Sequence, residues 1–125
     1  MKYYFFSFLL FLVSCTKNQN KSENVLEQSY DFYTKGKEIY ELNCKYCHTR
    51  GGSGAPPLWD FNDWQDRYKK GIDSLLENTF KGYVGKKGIM PPRGGCFKCS
   101  KEDLELVIKY MLLIAKVYPP QDSNL

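Results

Sequence analysis

The sequence predicts an all-α domain of about four helices. Apolar residues recur at the three-and-four-residue spacing of a helix face in four separate segments. Nowhere do they sustain the strict alternation of a half-buried strand. Two connections, 51–57 and 82–95, are rich in Gly and Pro. Irregular loops of that length are unusual in a small domain unless they surround something.

The first helix is expected over about 31–47. Asp31 offers a side-chain acceptor for its N-terminus, and Phe32, Ile39, Tyr40 and Asn43 share one broad face. A short second helix covers about 60–70, capped by Asp60, with Phe61, Trp64 and Tyr68 at positions i, i+3 and i+7. The third spans about 73–81, where Leu75, Leu76 and Phe80 are apolar and Gly82 is the stop. The fourth runs over about 101–117. Ser100 and Asp103 form a capping-box pattern. Leu104, Val107, Ile108, Met111 and Ala115 make its buried stripe, and Pro119-Pro120 end it.

The 125 residues suit one domain, and 42% hydrophobic with 26% charged content is ordinary for a folded chain. A chain this short has limited apolar surface for its own core. A large flat cofactor at the centre would supply that surface and explain the loops. The formal charge of +4 shrinks once Lys2 is discounted with a removed leader. The basic residues are scattered among Asp and Glu, which excludes a nucleic-acid footprint.

Residues 3–13 are nearly all apolar and follow Lys2. That run falls short of the roughly 17–25 residues that span a bilayer, and it fits the centre of a secretory signal. Its end, Leu12-Val13-Ser14-Cys15, resembles the bacterial lipobox, which implies a lipoprotein signal over 1–14 and lipid on Cys15. Residues 15–30 then read as the lipidated Cys and a flexible linker, 31–120 as the folded domain and 121–125 as a tail. Lipid would anchor the domain to a membrane surface without spanning it, in the cell envelope and facing the periplasm.

Cys44-Lys45-Tyr46-Cys47-His48 is the strongest chemical signal. C-x-x-C-H is the attachment pattern of c-type haem. Two intervening residues let the backbone turn so that both sulfurs face one porphyrin edge. His48, the single histidine of the chain, then lies under the ring. A sixth ligand is expected from Met90 in Gly88-Ile89-Met90-Pro91-Pro92, because the prolines restrict the backbone that carries it. Met111 lies on an apolar helix stripe and reads as core. His/Met ligation is the electron-transfer pattern.

These motifs resemble the class I c-type cytochromes, most closely the c-five subgroup. Gly36-Lys37-x-x-Tyr40 before the haem motif, Gly54-Ala55-Pro56-Pro57-Leu58 after it, Trp64, Arg67 and Gly71, the run Met90 to Ser100, and Tyr110-Met111 carry the resemblance. It implies a small class I fold around one covalent haem c. It also implies that the Pro56 carbonyl accepts the His48 imidazole N–H and that Cys96 and Cys99 form a disulfide. Trp64 and Arg67 either belong to the haem environment, contacting a propionate, or merely pack. The implied role is electron transfer between redox partner proteins, with a respiratory complex or a terminal oxidase as candidates, and no catalytic residue is required. Lys69, Lys70, Lys81, Lys86 and Lys87 are either a docking rim for an acidic partner or simply solvated lysines.

Three rivals use the same residues. A structural zinc module would take Cys44, Cys47, Cys96 and Cys99 as two knuckles, but leaves His48 and the Met-Pro-Pro loop unexplained. A thiol oxidoreductase would use Cys96 and Cys99, since Cys99 precedes a helix start. A haem peroxidase would require Met90 to leave the iron.

Overall fold

A computed structural model describes residues 33–118. The signal segment 1–14, the linker 15–30 with Cys15, the cap Asp31, Phe32, Pro119-Pro120 and the tail 121–125 lie outside the described residues. Helix α1 covers 33–48, with α-helical turns over 33–39, a π-helical turn over Tyr40–Cys44 and a final α-turn over Lys45–His48. The backbone stays right-handed helical through Ile39 and Lys45, so the three pieces form one rod. Helix α2 is Phe61–Tyr68, α3 is Ile72–Lys81 and α4 is Lys101–Ile114. The expected helices are therefore present, and the fold is mostly helical.

Local chemistry sets the ends. Asp60 accepts the backbone N–H of Asp63 at 3.1 Å and starts α2. Ser100 and Asp103 complete a reciprocal capping box at the start of α4. Gly82 ends α3 at φ 88°, where an L side chain is disfavoured. Helix α4 stops at Ile114, short of the expected Val117. Lys116 takes φ 62° and its N–H bonds Leu113 O at 3.0 Å, while Val117 N–H bonds Leu112 O at 3.0 Å. This is a Schellman turn with lysine in the left-handed position usually given to glycine, so the sequence carries no stop signal there.

A second departure is a two-residue ladder, β1 (Tyr83–Val84) with β2 (Ile89–Met90), antiparallel, pairing Tyr83 with Met90. Strands this short carry no readable alternation, which is why none was expected.

The core gathers on α4. Leu104, Val107, Ile108, Met111 and Leu112 are buried there, with Leu112 fully enclosed. Helix α1 crosses α4 closely because Gly36 lets backbones approach: a Cβ there would lie 2.6 Å from Leu106 O and 2.8 Å from Tyr110 Cβ. Tyr40 packs beside Tyr110 with ring centroids 5.6 Å apart. Helix α3 lies against α4, yet none of its residues is fully buried, and Leu75, Leu76 and Phe80 are only partly covered. On α2, Trp64 is buried as expected, whereas Phe61 stays 43% exposed. Protein atoms alone leave both helices with apolar surface uncovered.

Candidate functional site

The site is built from the end of α1, the loop after it, α2 and the β1–β2 hairpin. His48 ends α1 and is buried. Its Nδ1 lies 3.0 Å from Pro56 O. A carbonyl only accepts, so Nδ1 carries the proton and Nε2 presents its lone pair. Burial pushes the imidazole below its ordinary value, the Pro56 bond raises it and the Arg67 charge lowers it. A neutral ring is the form that ligates a metal.

The loop returns over that ring. Leu58 N–H donates to His48 O at 2.9 Å, and Trp64 Nε1 donates to Pro57 O at 2.9 Å. The indole and imidazole centroids are 5.8 Å apart. Pro56 and Trp64 thus both act on His48, one through its carbonyl at Nδ1 and the other by ring contact. The indole N–H is committed to Pro57, so Trp64 packs here and has no second proton to donate. Arg67 pairs through Nε with Asp63 Oδ1 at 3.0 Å, and Lys87 reaches Asp63 Oδ2 at 3.3 Å. Asp63, unremarked in the sequence, therefore joins α2 to the hairpin. Its role depends on a contact across 24 residues, which no local pattern signals.

Cys44 and Cys47 are unpaired thiols. Burial, then the neighbouring Cys47 charge, raise the Cys44 thiol to about 11. Cys96 and Cys99 are bonded to each other, with sulfurs 1.99 Å apart, and are buried at 9% and 6% exposure. The zinc module therefore lacks its four thiolates. Among the described residues no three His, Cys, Asp or Glu side chains gather to hold a metal ion. Met111 is core at 5% exposure, as expected.

Met90 is half-buried on β2. The segment that carries it abuts the haem-motif region at two places. The Pro92–Gly95 turn packs against Tyr40–Cys44, and Lys87 and Gly88 touch Ser53 and Gly54. Lys69 and Lys81 pair with Asp66 and Glu77, so with Lys87 three of the five rim lysines are ion-paired. A groove of about 550 Å³ lies apart from this site, between α1 and the Cys96–Cys99 turn, with Ile39, Leu42 and Phe97 in its walls.

The residues present fit a haem. Two free thiols stand one α-turn apart beside an imidazole with a bare Nε2. Trp59, Val84 and Ile89, at 74%, 78% and 68% exposure, add to the apolar surface that protein atoms leave open. Among the described residues no helix is long and apolar enough to cross a membrane.

Comparison with known proteins agrees. Residues 31–111 match the family model described as cytochrome C oxidase, cbb3-type, subunit III. Cytochrome c-555 of Chlorobaculum tepidum is 36% identical over 77 residues, covering 62% of this chain and 71% of that protein. Cytochrome c5 of Ectopseudomonas mendocina is 33% identical over 76 residues, covering 59% and 83%. A chain in the crystal structure of an electron transfer complex of nitrite reductase with cytochrome c superposes with TM-score 0.59 at 33% identity, covering 66% of this chain and 95% of that one. The chain belongs to the class I c-type cytochromes, electron carriers whose cofactor is one covalent haem c.

Proposed function

We propose that this chain passes single electrons between redox proteins at a membrane surface of the cell envelope, with Cys44 and Cys47 as haem thioethers and His48 and Met90 as axial ligands. The observation that carries the reading is the Nδ1–Pro56 hydrogen bond, which leaves His48 Nε2 free and aimed by a fixed ring. When bound, the haem would supply an iron that cycles between two oxidation states by one electron while keeping its ligands. The protein's share is rigidity. Pro56 holds the imidazole, Trp64 packs against it, and Pro91 and Pro92 restrict the Met90 backbone. A lasting Cys96–Cys99 disulfide ties down the turn that follows. Arg67 acts through Asp63, steadying α2 beside the site.

Within the family, the run from Met90 to Ser100 favours the c-five subgroup. The lipobox-like end at Cys15 supports a lipid anchor and a periplasm-facing position. A complex between nitrite reductase and cytochrome c in a structural relative supports a redox enzyme as partner. A respiratory complex or terminal oxidase fits the same role. The buried Cys96 and Cys99 do not favour the thiol oxidoreductase, whose sulfurs must meet a substrate.

Met90→Ala tests the reading. The haem is expected to stay attached while the ferrous iron becomes open to carbon monoxide, read by visible spectra. Carbon monoxide binding unchanged from the unaltered protein would remove Met90 from the iron.

A further inference from the structure

The turn after His48 and the hairpin bearing Met90 meet backbone to backbone. A Cβ on Gly54 would lie 1.7 Å from Lys87 O. A Cβ on Gly88 would lie 2.0 Å from Ser53 O. Real Cβ contacts stay above 3.0 Å, so neither position admits a side chain unless the segments part. The contact is reciprocal, since each glycine faces the carbonyl just before the other. Gly54 also has φ +76°, but Gly88 has no left-handed φ, so close approach alone demands glycine there.

Both contacting segments are themselves braced. Gly54 N–H bonds Gly51 O at 3.3 Å, and Ala55 N–H bonds Gly52 O at 3.0 Å. Across the contact, Gly85 N–H bonds Gly88 O at 2.9 Å, Tyr83 pairs with Met90, and Lys87 reaches Asp63. A shift at Gly88 is therefore passed to Met90, two residues along the chain in the adjoining strand, and is not absorbed by slack chain.

We propose that Gly54 and Gly88 form a backbone clasp that sets the separation between the His48 loop and the Met90 hairpin, and so acts as a positioning device for the sixth ligand. The proposal rests on Met90 being that ligand. A thioether is a neutral ligand that external bases displace, so its hold on iron depends on the loop being kept in place. A methyl at residue 88 must move Ser53 O from 2.0 Å to beyond 3.0 Å, and ligand sets tolerate displacements of only about 0.5 Å.

The test compares Gly88→Ala with Gly71→Ala in the haem-loaded protein. Gly71 has φ +88° and nothing within 4 Å of a built Cβ, so its variant carries backbone strain without the collision. Gly88→Ala should keep its covalent haem, lose the ferric methionine-to-iron charge-transfer band and bind imidazole at least fivefold more tightly. Gly71→Ala should change neither. A smaller change in Gly88→Ala, or an equal change in Gly71→Ala, overturns the clasp. If Gly88→Ala yields no haem protein, hydrogen exchange on the unaltered protein decides. The amides of Gly54, Ala55 and Gly85 should then exchange within threefold of a common rate, because the two loops open together, and a wider spread overturns it. Met90→Ala is measured alongside. If the band survives there, the ligand reading fails and exchange alone judges the clasp.

Discussion

His48 shows how one short bond selects a chemical state. The Pro56 carbonyl can only accept, so the ring must carry its proton on Nδ1 and offer Nε2. The carbonyl of the next residue, Pro57, is engaged by Trp64 Nε1 at 2.9 Å. Trp64→Phe keeps an aromatic ring beside His48 but leaves that carbonyl without its donor. A lost partner at a partly buried site costs about 1–3 kcal/mol. Denaturant unfolding of Trp64→Phe should show a loss in that range with haem still attached, and an unchanged midpoint would show that the bond does not matter. Arg67 is a lesson in competition. Its Nε lies at hydrogen-bond distance from Asp63, four residues back, so one of its five N–H donors is already spent on a helix turn beside the site.

At the scale of elements, the ends of helices carry more information than their middles. The capping box of α4 places Asp103 against Ser100 N–H and beside Lys35, which joins α4 to α1. The Lys35 hydrogen bond, then the Ser100 N–H, hold the Asp103 carboxyl below its usual 3.8. Its contribution to stability is present above that ordinary value and is lost as pH falls through the depressed folded one. Ser100→Ala should lower stability by about 1 kcal/mol. Asp103→Asn should flatten the acid-side loss of stability below pH 4, and a thermal-melting series against pH reads both effects. Helix α1 adds a device of its own. Its π-turn runs into the haem motif and ends on Cys44, and Asn43 Nδ2 donates to Ile39 O at 3.1 Å, supplying a partner where the wider turn departs from the α pattern.

At the scale of the molecule, the disulfide and the lipid proposed on Cys15 separate stability from location. The Cys96–Cys99 bond closes a loop of sequence separation 3. Chain-entropy reasoning gives so short a loop about 2 kcal/mol. The Cys96→Ser, Cys99→Ser double variant should lose about that much in denaturant unfolding and still accept and donate electrons. Loss of electron transfer in a folded double variant would return the pair to a redox role. The lipid proposed on Cys15 would affect only where the molecule resides. Cys15→Ser should move the haem protein from the membrane fraction to the soluble one, and continued sedimentation with membranes would refute the lipid anchor.

The local code of this chain was legible because it depends on neighbours in sequence. Residues 44–48 name the cofactor through spacing alone, the helices follow from apolar period, and Asp60, Gly82 and Ser100 mark ends through their own backbone chemistry. Contacts between distant segments were not legible. Nothing near Asp63 announces Lys87, nothing near Gly54 announces Gly88, and the Schellman turn at Lys116 puts lysine where glycine is usual. The partial exposure of Phe61 and of α3 likewise depends on what surrounds them rather than on their period. Sequence determined which groups could bind haem, because bond lengths and helical pitch act over a few residues. Tertiary structure alone decided how the His48 loop and the Met90 hairpin meet, because that depends on two backbones approaching too closely for any side chain to lie between them.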